Sequence, residues 1–433
     1  MNPRFRTFLH CIEFRIVIGA LLVFVIPSSL LFVNSGFESP PIQWEKFFDG
    51  SRGCSVLQNE NGDYLVTGEK GLASVLIGTD SSGNLLWTKT FQIEGKETFL
   101  PYLIQTADGG YALAGTWENN YALVRVDSEG NIIWTKTYER NALFNYLRSV
   151  IQTNDGGYAL VGTYLNNPPS DGQTWFVKVD ALGNIQWNKT IGSIGDFVNS
   201  VLQTSDGGYS IIGTSWASET SPARPKIIKT DPDGIVQWNK TYGGIGKAKF
   251  YYTESFSGII TDDGGYLSAG FAGESSSSWM AWLVKTDPQG KMIWNQTYGE
   301  IGSLVNSVIN TRDGGYSFVG VVNRQDAWIA KTDVYGNMDW NLTFKGSSIE
   351  TFCKSIIQTN DGGYAIVGMR DGRIWLVKIT ALSQHSPVLT PLLETIVIVI
   401  LAITLGIAIV VFILSKSIRR KRGNGSFKFV YHF

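Results

Sequence analysis

Acid–base and nucleophilic chemistry at neutral pH leans on histidine, on an activated cysteine or on converging carboxylates. In these 433 residues the three histidines are His10, His385 and His432, all near the ends of the chain. A serine–histidine–aspartate arrangement or a histidine-bound metal is therefore not available to the long middle. The cysteines Cys11, Cys54 and Cys353 stand isolated. Carboxylates remain, with Asp171, Glu219, Glu254, Glu274 and Asp326 in irregular stretches, where solvated loop charge is the simpler account of them. No residue is singled out as catalytic and none as a metal ligand. The phrase TNDGGYALVGTY at 153–164 invites a phosphate or calcium reading. A phosphate loop must open a helix, and here a strand follows; a calcium loop needs more converging oxygens than TNDGG supplies.

The phrase also returns. Its tyrosine recurs as Tyr64, Tyr111, Tyr158, Tyr209, Tyr266, Tyr316 and Tyr364, at spacings of 47, 47, 51, 57, 50 and 48 residues. Six of the seven copies carry Asp-Gly-Gly, and all have a glycine four residues after the tyrosine. Each such glycine is expected to let a large aromatic side chain approach the backbone closely. Within a unit, two short apolar runs flank the Asp-Gly-Gly turn, then WFVKVD, a second turn ALGN, and IQWNKTI follow, which reads as four antiparallel strands. About fifty residues per four-stranded unit, seven times over, predicts an all-β fold, a seven-bladed β-propeller. With 48 Gly, 23 Phe, 18 Tyr and 14 Trp, the composition suits many short strands and tight turns.

A tryptophan marks the fourth strand of six units, as Trp87, Trp134, Trp187, Trp238, Trp294 and Trp340. The seventh unit lacks that strand, whereas IQWEKFF at 42–48, with Trp44, precedes the first unit. The N-terminal strand is therefore expected to complete the last blade and close the ring, which removes open edges.

Phrases such as VKVDALGNIQW and VRVDSEGNIIW resemble the repeat of PQQ-binding-like (quinoprotein-like) β-propellers, in which an Asp, a Gly turn and a docking Trp link neighbouring blades. The resemblance spans residues 42–380 at the level of repeats. DGGYALVG followed by WLVKTD is also similar to repeat-containing cell-surface proteins of archaea and bacteria. The quinoprotein resemblance would imply PQQ with calcium at the ring centre in an oxidoreductase, but the vicinal cysteine pair seen in several such dehydrogenases is missing; no cofactor is otherwise expected. The Asp-box of sialidase-like propellers is also approached. Here Asp180, Gly183 and Trp187 are separated by three and four positions, one more at each step than in that box, so no sialidase site is carried over.

The ends suggest a membrane protein. Residues 1–36 read as a secretory signal or an N-terminal anchor, with Arg4, Arg6 and Arg15 before the apolar run 16–33. Residues 37–384 form the propeller ectodomain and 385–394 a linker. Residues 395–414 carry no charge and are long enough for a transmembrane helix. The basic tail 415–433, with Lys416, Arg419, Arg420, Lys421 and Arg422 at its start, is expected to stay cytoplasmic. The tail holds six positive charges and the first fifteen residues a net two, against −1 for the chain, so the part between carries −9. That excludes a phosphate-neutralising nucleic-acid surface. Four sequons, at Asn188, Asn239, Asn295 and Asn341, are candidate glycosylation sites just after the docking tryptophan, where Asn and Thr also serve as polar outward strand residues. Cys54 and Cys353 fall near equivalent places in neighbouring blades, a candidate disulfide in an exported protein.

The repeated turns should occupy one face of the disc and the connections that differ between blades the other. Aromatics gather in the variable connections: Trp117, Tyr164, Trp216, Tyr251, Tyr252 and Trp279. Flat apolar rings beside neutral polar groups suit sugars or proteins, and equally suit loop anchoring. The expected function is non-catalytic binding or adhesion toward a protein or glycan at the cell surface. The alternatives are a propeller enzyme, quinoprotein-like or a carboxylate-based glycan hydrolase, and a scaffold within a membrane complex.

Overall fold

The computed structural model describes residues 39–92, 96–166, 172–216, 223–243, 252–273, 277–346 and 351–381, and residues 406, 407 and 410. Contacts divide the chain into two units, residues 1–381 and 382–433. In the second, Gly406, Ile407 and Val410 are described and helical. The expected signal or anchor at 1–36, linker at 385–394, remainder of the span at 395–414 and tail at 415–433 lie outside the described residues. Among the described residues no helix is long and apolar enough to cross a membrane.

The first unit holds strands β1 to β28, numbered in chain order, in seven antiparallel sheets of four. Blade one is β2 (Arg52–Gln58), β3 (Tyr64–Lys70), β4 (Ala73–Thr79) and β5 (Leu85–Phe91), hydrogen-bonded in that order. Blade three repeats it with β10 (Phe144–Gln152), β11 (Tyr158–Leu165), β12 (Gln173–Val179) and β13 (Ile185–Ile191). The middle strands of each blade are buried on both faces, which is why YALVGT and WFVKV read as nearly continuous apolar runs. The first strands lie against one another, as β2 does against β6 (Thr98–Gln105) and β26 (Phe352–Gln358), and so line the central channel.

Closure is as the sequence predicts. β1 (Ile42–Phe48) pairs antiparallel with β28 (Arg373–Ile379), Trp44 opposite Lys378 and Phe47 opposite Trp375. Blade seven is thereby made of β26, β27 (Tyr364–Arg370), β28 and β1, its ends drawn from both sides of the repeat. The core behind the closure joins Phe48 and Ile374 to Val56, Tyr64 and Val75 of blade one.

Each fourth-strand tryptophan docks on the next blade. Trp44 meets the ring of Tyr64 edge-on at 5.5 Å, and the same pairing recurs as Trp134–Tyr158 at 6.1 Å and Trp340–Tyr364 at 5.6 Å. The indole also covers the glycine of the next blade's second turn: a Cβ on Gly234, whose φ is +75°, would lie 2.8 Å from Trp187. Both the positive φ and the overlying ring demand glycine there.

The glycine four residues after each tyrosine has a different reason from the one expected. An extra residue bulges from the first strand, between Leu147 and Ser149 in blade three, and bends that strand toward its partner. A Cβ on Gly162 would sit 2.0 Å from the Tyr146 carbonyl oxygen, and one on Gly368 1.9 Å from that of Phe352. At both the close approach is backbone on backbone, with the Tyr121 hydroxyl at 2.5 Å adding to it at Gly162; at Gly68 the Ile374 side chain at 2.4 Å comes nearest. Gly162→Ala is therefore expected to destabilise by about 1–3 kcal/mol through overpacking. That is a fall in thermal midpoint of about 2–6 °C for a unit this large; an unchanged midpoint would refute the contact.

Candidate binding site

The Asp-Gly-Gly turns join first to second strands and the Asp-x-x-Gly turns join third to fourth, so both belong to one face, here the turn face. Its polar groups are engaged in holding the blade. Asp155 accepts from Gly157 N at 3.1 Å and from Lys178 Nζ at 2.7 Å, and Thr153 Oγ1 donates to it as well. Lys178 is buried and also reaches the Val179 carbonyl at 3.1 Å. The pair recurs as Lys229–Asp206, Lys285–Asp263, Lys331–Asp313 and Lys378–Asp361, and as Arg125–Asp108 in blade two. Blade one has Gly78 at the lysine position and also lacks Asp-Gly-Gly. Desolvation pushes the Asp155, Asp206 and Asp263 carboxyls up, but the bonds from lysine, threonine and glycine outweigh it and hold all three at about 2.

Neighbouring turns are tied by glutamine. Gln203 Oε1 accepts from Asn154 N at 2.9 Å, Gln152 from Ala107 N at 2.8 Å and Gln358 from Arg312 N at 2.9 Å. Gln58 ties blade seven to blade one in the same way, accepting from Asn360 N at 2.8 Å. Two clefts open on this face. One of 430 Å³ between blades five and six is lined by Asp262, Asp263, Asp313, Lys331 and Asp339. The other, of 720 Å³ between blades one and two, is lined by Asn59, Glu60, Asp63, Gln105 and Tyr111. In the first, Lys331 is shared by Asp313 at 2.8 Å and Asp339 at 2.5 Å. Among the described residues no three His, Cys, Asp or Glu side chains come together as a metal site.

On the opposite, variable face the candidate aromatics differ in what they offer. Trp216 is 39% exposed, its ring 6.1 Å from that of Phe197 and its amide bonded to the Gly195 carbonyl at 2.8 Å. Tyr164 is 5% exposed; its hydroxyl donates to Gln173 Oε1 at 2.7 Å and the Arg140 guanidinium covers its ring at 3.8 Å, an anchoring arrangement. Trp117 is half-buried against the blade-two core, and Trp279 is half-buried with Phe271 at 5.5 Å and Arg324 over its ring. Tyr252 begins β18 (Tyr252–Ile260), its side chain outside the described residues, as is Tyr251. Of the carboxylates, Asp326 is buried and spent on Gly346 N at 2.8 Å and Lys345 at 3.1 Å. Asp171, Glu219 and Glu274, and the Glu254 side chain, lie outside the described residues.

The expected disulfide does not form: Cys54 and Cys353 are both buried free thiols. Cys353 pairs with Gly368 as Gly53 pairs with Gly68, so Cys54 is one residue further along, in the bulge, at the level of Lys354. A one-residue offset on a strand turns the side chain to the other face. Desolvation raises both thiols, Cys54 to about 12. Among the sequons, Asn188 and Asn239 are exposed on the outer strand. Asn295 and Asn341 are half-buried, each with Nδ2 3.4 Å from a methionine sulphur.

Similar solved structures are propellers. A streptogramin B lyase matches with a TM-score of 0.54 and 12% identity over 78% of this chain and 98% of its own. The virginiamycin B lyase of Staphylococcus aureus matches with a TM-score of 0.55 and 10% identity over 78% and 99%. A catalytically inactive histidine-to-alanine variant of that lyase, with quinupristin, matches with a TM-score of 0.52 and 11% identity over 78% and 98%. At such identities the likeness shows the fold. No protein-family model and no curated protein matches the chain.

Lys178→Met is expected to cost about 1–2 kcal/mol at neutral pH, discounted because Asp155 is half exposed. A carboxyl held at about 2 stabilises the fold fully above its ordinary value near 4 and loses that contribution as pH falls between the two. Denaturant unfolding of both proteins from pH 6 to pH 2 should therefore show the gap between them narrowing below about pH 4. A gap independent of pH would mean the lysine acts by packing alone.

Proposed function

We propose that this chain is a membrane-anchored extracellular propeller that binds a protein or glycan through its variable face, without catalysis. The observation that carries the reading is that the variable face exposes apolar side chains in connections that differ between blades, whereas on the turn face Leu182, Val334 and Tyr335 are exposed within turns of one repeated form. On the turn face the repeated aspartates, lysines and glutamines bond to one another and to backbone. On the variable face Trp216, Ile194 and Ile301 stand exposed in connections that differ between blades. Exposed aromatic and aliphatic side chains on loops of a rigid scaffold are what recognition surfaces are made of.

Ile42 and Ile379 face each other at the turn face, and the Thr380 amide bonds to the Pro41 carbonyl at 3.0 Å. The closing strands of the ring thus begin and end side by side on that face. The lyase of the similar structures is inactive in a variant that replaces a histidine. Residues 39–381 of this chain contain no histidine, which favours binding over that chemistry.

The test is retention of the purified full chain on a glycan array and on immobilised cell-surface extract, with Trp216→Ala as the variant. Loss of about tenfold or more in affinity with an unchanged thermal midpoint is expected. Equal retention by the variant, or turnover of the retained ligand, would overturn the reading.

A further inference from the structure

The position ten residues before the tyrosine differs from unit to unit: it is Cys54, Pro101, Arg148, Asn199, Phe256, Asn306 and Lys354. In most blades this is the bulged residue of the inner strand, freed from the ladder. The next residue, by contrast, is serine in six units and helps bond blade to blade: Ser149 Oγ accepts from Val201 N at 3.1 Å, Ser200 Oγ from Gly258 N at 3.1 Å.

Two of the bulges carry cations. Arg148 and Lys354 are both reached by solvent on strands that line the channel, and Arg52 belongs to the same wall, made by blades seven, one, two and three. Arg52 is paired with Glu69 at 2.8 Å. Arg148 and Lys354 have no carboxylate partner among the described residues, and Arg148 lies against the hydroxyl of Tyr102 and over the ring of Tyr146 at 5.5 Å. Desolvation, and then the charges of Arg148 and Arg52, lower the pKa of the Lys354 ammonium, with Cys54 opposing in part. Two cations on the channel wall without a carboxylate partner are a standing cost that a bound anion would relieve.

Above the cations, on the same strand, Phe144 and Tyr146 are 42% and 39% exposed. Their rings are stacked at 6.0 Å with 5° between planes, presenting a flat apolar step at the channel mouth on the variable face. The part of the chain between its two hydrophobic segments is acidic, so this patch is where an anionic ligand meets attraction rather than repulsion.

We infer that the channel mouth on the variable face binds an acidic glycan, Arg148 and Lys354 taking a sugar carboxylate while the Phe144–Tyr146 step lies against a sugar ring. A planar guanidinium suits a carboxylate, and an aromatic face suits the C–H face of a pyranose, whereas an acidic peptide would use the charges and leave the step idle. The inference rests on the variable face being the binding face and names what it binds.

The experiment is calorimetric titration of the full chain in detergent with oligogalacturonate, a neutral malto-oligosaccharide and polyglutamate. Oligogalacturonate is expected to bind and the other two not. Lys354→Met should weaken it about tenfold or more, at a thermal midpoint held or raised by the loss of repulsion. Arg148→Gln and Tyr146→Ala should each weaken it as well, and they decide the matter if Lys354→Met does not fold. Polyglutamate binding as tightly would overturn the inference, since charge alone would then suffice, as would oligogalacturonate binding that the variants leave untouched. No binding of oligogalacturonate, with another ligand still lost on Trp216→Ala, would overturn this inference and leave the proposed function standing.

Discussion

The ring depends on the docking of one blade's outer tryptophan onto the next blade's glycine turn and tyrosine. A four-stranded sheet of this length buries too little by itself, and its outer strand would be an open edge. Setting Trp187 over Gly234 and beside Tyr209 converts that edge into an interface. The contact uses three points of the repeat at once: the tryptophan of one unit, and the turn glycine and the tyrosine of the next. Because Trp44 makes the same contact with Gly83 and Tyr64, the last and first blades are joined as blades three and four are.

Given that interface, most of the repeated phrase follows. The tyrosine must sit at a fixed height, so the turn before it is fixed by Asp-Gly-Gly; the aspartate of that turn is in turn held by a lysine two strands away. A buried lysine is expensive unless paired, and the pair is kept because the aspartate also caps its own turn through glycine and threonine. Blade one shows the coupling by losing both members together, Gly78 for the lysine and Asn-Gly-Asp for the turn. The serine and glutamine contacts add further bonds between neighbouring blades, the former near the channel and the latter on the turn face.

Seven blades, four strands in each, and closure by residues 42–48 were legible in the sequence because period, turn chemistry and tryptophan position are local signals. The lysine–aspartate pairs were less so, although VKVD and NDGG are both in the phrase, since only the blade's fold brings residues 155 and 178 together. The glycine at 162 was legible as a close approach, but its partner was not: a strand pattern does not reveal a bulge, and the bulge is what sends the Tyr146 carbonyl toward it. Cys54 stands ten residues before its tyrosine and Cys353 eleven, so one lies in the bulge and the other just before it, and a pairing that looked equivalent by position failed by a single residue. Among the candidate binding aromatics, composition could not separate Tyr164, buried under Arg140, from Trp216, left in solvent.

Recognition in a repeat protein has to be written where the repeat permits variation, and two kinds of place do. Connections on the variable face can change length freely because no ladder passes through them. The bulged residue of each inner strand is the second kind: it is unpaired by construction, and it is bracketed by residues that are not free, the glycine-facing carbonyl before it and the bonded serine after it. Substitution at that one position therefore alters the channel without touching the ring. Cys54, Arg148, Phe256 and Lys354 differ in charge and size, so the lining varies from blade to blade while the scaffold is held constant.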